Sequence, residues 1–348
     1  MKILLATTQV PFIRGGAEIH AEGLIKALRA EGHEAEIVAI PFKSYPPERI
    51  LDNMLSCRLL DLSEFNGQPI DRVIGMKFPA YLIPHPHKII WLLHQHREAY
   101  ELWDDAYGDL ITSPNGLQMR DAIINADRKA FGECRSIFAN SANVSNRLKK
   151  FNQIDSTPLY HPPQNAELFY YEESEDYLFF PSRLTNIKRQ HTVIEALRET
   201  KNPVRVVFAG KADAPTYIDH LKNLAMKLKV LDRITFLGGI SEEDKLKNYA
   251  RAIGVVYPPF DEDYGYVTLE AMLASKPLIT CTDSGGPLEF VLHQKTGLIV
   301  ESSSKALAAA MDQLWEDRTW AKTMGKSGRE RYDSLEITWS AVVKRLLS

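Results

Sequence analysis

The chain has 348 residues, of which 45% are hydrophobic and 25% charged, with a formal net charge of −3. That length suits two domains with separate cores, and the near-neutral balance argues against a nucleic-acid binder, which needs a strongly basic face. Cys57, Cys134 and Cys281 are scattered and odd in number, which points to reduced thiols in a cytoplasmic protein and away from a disulfide framework or a structural zinc.

The chain opens on an apolar run over residues 3–6, too short for the core of a signal peptide and read as a buried strand. A helix is predicted over 17–30, closed by Gly32 just past its end, with strands over 35–40, 72–74, 89–93 and 136–139. Strand, helix, strand is the pattern of a mostly parallel, doubly wound α/β sheet with right-handed crossovers. From 161 the periodicity fails and prolines give way to an acidic run, so residues 164–176 read as a linker between domains 1–163 and 177–334. After it come strands at 177–181, 204–209, 233–237, 253–257 and 277–281. Helices are predicted over 190–199, 215–228, 266–274 and 305–315, and another starts at Ser241, capped with Asp244 three residues on. Residues 339–347 have the spacing of a terminal helix. No run approaches the roughly 18 apolar residues of a membrane span, which leaves surface contact with a membrane open.

Open sheets of this kind take ligands outside the carboxyl ends of their strands, where the chemistry-bearing residues fall. Residues 257–270 put Glu262 in a loop and Glu270 on the following helix, either side of Gly265. The N–H groups near Gly265, Tyr266 and Val267 suit an anion, and two carboxylates also suit a glycoside hydrolase. Arg183 and Lys188, after strand 177–181, suit a diphosphate, or form a solvated pair. Gly15 and Gly16 allow close backbone approach, or make a plain turn, and lack the dinucleotide fingerprint. His94 and His96, with His85 and His87 nearby, offer a metal site or a single imidazole that hydrogen-bonds substrate; Pro86 and the missing carboxylate or cysteine ligands disfavour the metal. Asp261-Glu262-Asp263 has a metal-binding spacing, yet Arg183, Lys188 and the helix end already supply positive charge, so no obligatory metal is expected.

In order, Gly15-Gly16, His94, residues 182–189, Ala209-Gly210, residues 234–238, the Glu262 and Glu270 stretch, and Gly285-Gly286-Pro287-Leu288-Glu289 resemble the retaining glycosyltransferases of family 4. The resemblance covers nearly the whole chain. It implies the GT-B fold, two Rossmann-like domains with parallel sheets facing a central cleft, and a C-terminal helix over 335–348 crossing back to the first domain. It implies retaining, metal-independent transfer of a hexosyl group from a GDP- or UDP-hexose, as co-substrate, to a carbohydrate or lipid-linked carbohydrate hydroxyl. Such transfer serves glycan, polysaccharide or glycolipid synthesis in the cytoplasm, with peripheral contact at the inner membrane face left open. By the same resemblance Glu270 takes the ribose, and the backbone at Gly265, Tyr266 and Val267 takes the diphosphate with Arg183 and Lys188. Glu262 binds the donor sugar, His94 lies beside it, Phe236, Leu237 and Gly238 meet the base, and Gly15, Gly16 and Gly210 line the donor side. Where the family has Glu-Gly-Phe-Gly this chain has Glu262-Asp263-Tyr264-Gly265, an added negative charge beside the anion site. Residues 41–66 and 97–120 are the expected acceptor loops. A non-catalytic sugar-nucleotide-binding partner is the rival reading.

Overall fold

Apolar runs flanked by glycine, proline and polar residues become parallel strands buried on both faces, and amphipathic segments become the crossovers. In the computed structural model, which describes every residue except Ile13, the chain divides into two units, Met1–Gln164 with Thr338–Ser348, and Asn165–Ile337.

The first unit runs β1 (Lys2–Gln9), α1 (Gly16–Ala30), β2 (Glu34–Pro41), α2 (Arg49–Leu59), a small hairpin of β3 (Glu64–Phe65) and β4 (Gln68–Pro69), β5 (Arg72–Gly75), β6 (Lys88–Leu92), α3 (Gly116–Gly132), β7 (Ser136–Ala139), α4 (Ala142–Asn152) and β8 (Thr157–Pro158). Its six-stranded sheet has the order β2-β1-β5-β6-β7-β8, with every pairing parallel. Residues 41–66, expected as a loop, contain α2, whose Ile50, Met54 and Cys57 are buried in the core.

The second unit repeats the plan: β9 (Leu178–Pro181), α5 (Gln190–Glu199), β10 (Val206–Ala209), α6 (Pro215–Lys227), β11 (Ile234–Gly238), α7 (Glu242–Arg251), β12 (Val255–Val256), α8 (Tyr266–Leu273), β13 (Leu278–Cys281), α9 (Pro287–Phe290), β14 (Gly297–Val300), α10 (Ser304–Glu316) and α11 (Arg318–Ser334). Its parallel sheet has the order β11-β10-β9-β12-β13-β14. Ser241 caps α7 as its spacing predicts, accepting from Asp244 N at 3.0 Å. Residues 164–176 read as a linker, but from Asn165 on they belong to this unit: Glu172 N donates to Ala250 O at 3.1 Å and Glu175 N to Arg251 O at 2.7 Å.

The chain ends in the first unit with α12 (Trp339–Leu347), capped by Thr338. Val342, Val343 and Leu346 enter the core beside α1 and β1. Trp339 needs a socket, and Gly23 provides it, because a Cβ there would lie 2.2 Å from the indole. Trp91 and the stacked imidazoles of His20 and His161, 3.7 Å apart at 4°, complete the cluster.

Candidate functional site

Three strand-end loops of the second unit are stitched together by main-chain bonds. Phe260 N donates to Ile187 O at 2.9 Å, Asp261 N to Asp283 O at 2.9 Å, Glu262 N to Ser284 O at 3.0 Å, and Gly286 N to Glu262 O at 2.8 Å. Arg189, in the left-handed region at φ 60°, adds two 2.8 Å bonds to Asp283 and lies 5.1 Å from the Phe260 ring centre.

This frame holds Glu262. Its carboxylate accepts from Lys188 Nζ and, at 2.9 Å, from Tyr257 Oη, which itself accepts from Lys188 at 3.1 Å. Burial, then the Glu262 charge, hold the Tyr257 phenol well above its ordinary pKa, so it remains a donor. Lys188 and Glu262 are thus one unit, although they lie far apart in sequence. Arg183 has a different partner: it is half-exposed and donates to Asp213 at 2.9 and 3.1 Å. Both cations expected at a diphosphate therefore rest on carboxylates, which an incoming anion has to replace.

Glu270 is buried within α8 and accepts from Tyr249 Oη at 2.6 Å and Lys245 Nζ at 3.1 Å, both from α7. Burial pulls the Lys245 pKa down, but Glu270 and Glu242 outweigh it and the net shift is upward. Two acceptor bonds leave the carboxylate capacity for further donors. Gly265 opens α8 at φ 80°, and a Cβ there would come within 3.0 Å of Pro287. The N–H groups of Tyr266 and Val267, in the first turn, have no acceptor within the helix.

Phe236 stacks on Phe208 with ring centres 5.3 Å apart, Leu237 is partly exposed, and Gly238 has φ 67°. Gly210 N donates to Gly238 O at 2.7 Å, and a Cβ on Gly210 would lie 1.9 Å from Ser182 O. That backbone crossing is reason enough for its glycine.

In the first unit Gly15 N donates to Glu18 Oε2 at 2.7 Å and Gly16 begins α1. Gly15 has φ −150° and a Cβ there would make only an ordinary 3.8 Å contact with Glu18 Oε2, so nothing in the fold alone requires glycine there. His94 follows β6, with Nδ1 2.7 Å from Gln95 O, and His96 is half-buried with its pKa lowered to about 4, mainly by desolvation. His85 and His87 precede β6 and bond the carbonyls of Ile70 and Asp71, both at 3.2 Å. The length of β6, about 16 Å at its strand rise, separates the two histidine pairs. Among the described residues no group of three or more His, Cys, Asp or Glu is arranged to hold a metal ion.

Sequence reasoning passed over Asp213, Lys245 and Tyr249, and gave no role of their own to Tyr257, Arg189 and Asp283, which lie in stretches it singled out. For Tyr257 a signal existed, an aromatic residue ending a strand before Pro258-Pro259. The others are partners across loops or helices, which no local spacing reveals.

Residues 170–331 match the family described as glycosyl transferases group 1. An uncharacterized glycosyltransferase of Methanocaldococcus jannaschii, MJ1607, is 22% identical over 91% of this chain and 90% of its own length. A GDP-mannose-dependent alpha-(1-6)-phosphatidylinositol monomannoside mannosyltransferase of Mycobacterium tuberculosis is 33% identical, over 47% of this chain and 44% of its own. Anabaena HepE, solved in complex with UDP-glucose, superposes with a TM-score of 0.74 at 16% identity, covering 100% of this chain and 98% of that one. This likeness is one of fold, the GT-B architecture of two Rossmann-like units with parallel sheets.

Proposed function

Because residues 170–331 match the group 1 glycosyl transferases, we propose that the chain moves a hexosyl group from a GDP- or UDP-hexose to an acceptor hydroxyl with retention of configuration. The observation that carries this reading is the Lys188, Glu262 and Tyr257 cluster held beside the glycine-opened start of α8.

Glu270 receives the ribose hydroxyls, already oriented by Tyr249 and Lys245. The N–H groups of Gly265, Tyr266 and Val267 meet the diphosphate, joined by Arg183 and Lys188 as they leave Asp213 and Glu262. Glu262, released from Lys188, accepts from the donor-sugar hydroxyls, and His94 hydrogen-bonds the substrate from the end of β6. The base lies against residues 236–238, with Gly15, Gly16 and Gly210 on the donor side. Charge stabilisation of the leaving diphosphate then lowers the barrier, and no side chain acts as nucleophile. These cations do the work a divalent metal does elsewhere, so transfer proceeds in excess chelator. The mannosyltransferase relative supports a GDP-linked donor, and HepE a UDP-linked one. A carbohydrate or lipid-linked carbohydrate acceptor, in polysaccharide or glycolipid synthesis on the cytoplasmic side, fits the phosphatidylinositol monomannoside acceptor of that relative.

The hydrolase reading fares less well, because Glu262 and Glu270 have separate partners and the cations would have no role. The test separates binding from chemistry. Glu270→Gln should lose the thermal shift given by GDP or UDP, whereas Glu262→Gln should keep that shift and lose turnover of the sugar nucleotide by about a hundredfold or more. Full turnover in Lys188→Ala, or unchanged nucleotide binding in Glu270→Gln, would sink the assignment.

A further inference from the structure

At the amino ends of the second unit's strands, opposite the loops described above, a cavity of about 340 Å³ opens beside the first turn of α11. Lys276, Arg318 and Lys322 line it against one carboxylate, Glu173, with the hydroxyls of Ser174 and Thr319 alongside. Lys322 bonds Glu173 at 2.5 Å. Arg318 reaches Asp176 at 3.2 Å, but the Asp176 side chain is 76% exposed and such surface pairs contribute little.

Lys276 is the unusual member. It is 2% exposed, donates to the Glu172 main-chain carbonyl at 3.0 Å, and lies 4.1 Å from the Tyr171 ring centre. The Glu172 carboxylate itself is bonded by Arg251 at 2.7 Å. Among the described residues no carboxylate bonds Lys276; its ammonium meets a carbonyl and a ring face, Glu173 and Glu172 act on it only through their charge, and such burial is costly. Burial lowers its pKa to about 8, which still leaves it mostly charged at neutral pH.

We propose that this cavity binds a small dianionic oxyanion of the phosphate class, either free phosphate or a short phosphomonoester, through Lys276, Arg318 and Lys322. Three lining cations against one lining carboxylate leave an excess that a dianion neutralises and a monoanion does not. The volume lies at the small end of ligand pockets, enough for a phosphate with a short substituent. Asp317 already caps α11 by accepting from Trp320 N at 2.8 Å, so the contacts come from side chains and not from the helix end. None of these residues belongs to the donor loops, and the site stands or falls independently of the proposed transfer.

Thermal unfolding of the full chain, titrated with inorganic phosphate against chloride at constant ionic strength, tests it. The melting temperature should rise saturably in the wild type. Lys276→Met and Arg318→Gln should each raise the half-saturating concentration at least about tenfold, the worth of one charged hydrogen bond. Arg318 lies at the surface, so its variant remains informative if Lys276→Met does not fold. A second titration with glycerol phosphate separates the sources: tighter binding identifies a phosphomonoester, and weaker binding identifies the free anion. No saturable shift in the millimolar range, or the same half-saturation in Arg318→Gln as in wild type, would overturn the proposal.

Discussion

Asp127 shows how much one buried carboxylate can carry. It lies on α3 within the first unit's core, accepts from Tyr81 Oη at 2.8 Å and Tyr100 Oη at 2.7 Å, and burial raises its pKa to about 7. Its folded value exceeds the unfolded value of about 3.9, so the native state binds the extra proton. The stabilisation is complete below about pH 3.9 and is lost as pH rises through 7. Between pH 8 and 6 wild type should therefore gain about 1 kcal/mol relative to Asp127→Asn in urea unfolding. A pH-independent difference would contradict this. The buried imidazoles act with the opposite sign. His20 is lowered to about 3 and His161 also well below its ordinary value by burial, so their contribution is complete above pH 6.5 and lost as pH falls toward those values.

At the scale of elements, the ties between loops matter more than any single strand. Arg189 connects the loop after β9 to the loop after β13, and through Phe260 to the one carrying Glu262. Lysine keeps the charge but not the two-pronged geometry. Arg189→Lys should lower sugar transfer about tenfold, through misplacement of Glu262, while nucleoside diphosphate affinity stays within about twofold. Equal losses in both measurements would mean the arginine acts on the whole unit.

The same elements show what could be read from sequence. Helix α5 and strand β7 stand where periodicity put them, at Gln190–Glu199 and Ser136–Ala139, because their apolar spacing is uninterrupted. Helix α3 was missed because Asp127 interrupts its apolar face, and α11 because glycines and charges dilute its pattern. In the site, the strand-end positions of Arg183, Lys188 and Glu262, and the helical position of Glu270, were legible from local motifs. That Lys188 rests on Glu262, and Arg183 on Asp213, was not, because such pairs form only once the sheet brings distant loops together.

At the scale of the molecule, the first unit is assembled from two distant parts of the chain. Trp339 is the pivot of the second part, seated at Gly23 among His20, Trp91 and His161. Trp339 is half-buried, so Trp339→Ala should destabilise the first unit by about 2–3 kcal/mol, below the range of a fully buried tryptophan. Deleting residues 335–348 should do more. Because a chain of two units need not unfold in one step, the measurement is differential scanning calorimetry with the transitions resolved. A thermogram that Trp339→Ala leaves unchanged would refute the role given to this residue.

The Gly23 socket also orders events during synthesis. The ribosome delivers α1 early but α12 only after the entire second unit has emerged, about 10–35 s after Gln164 at ~5–20 residues per second. Throughout that interval the nascent first unit has an open seam where Val342, Val343 and Leu346 will lie. Chaperones have that long to engage it, and a truncated translation product would carry the open seam permanently, as a mark for proteolysis.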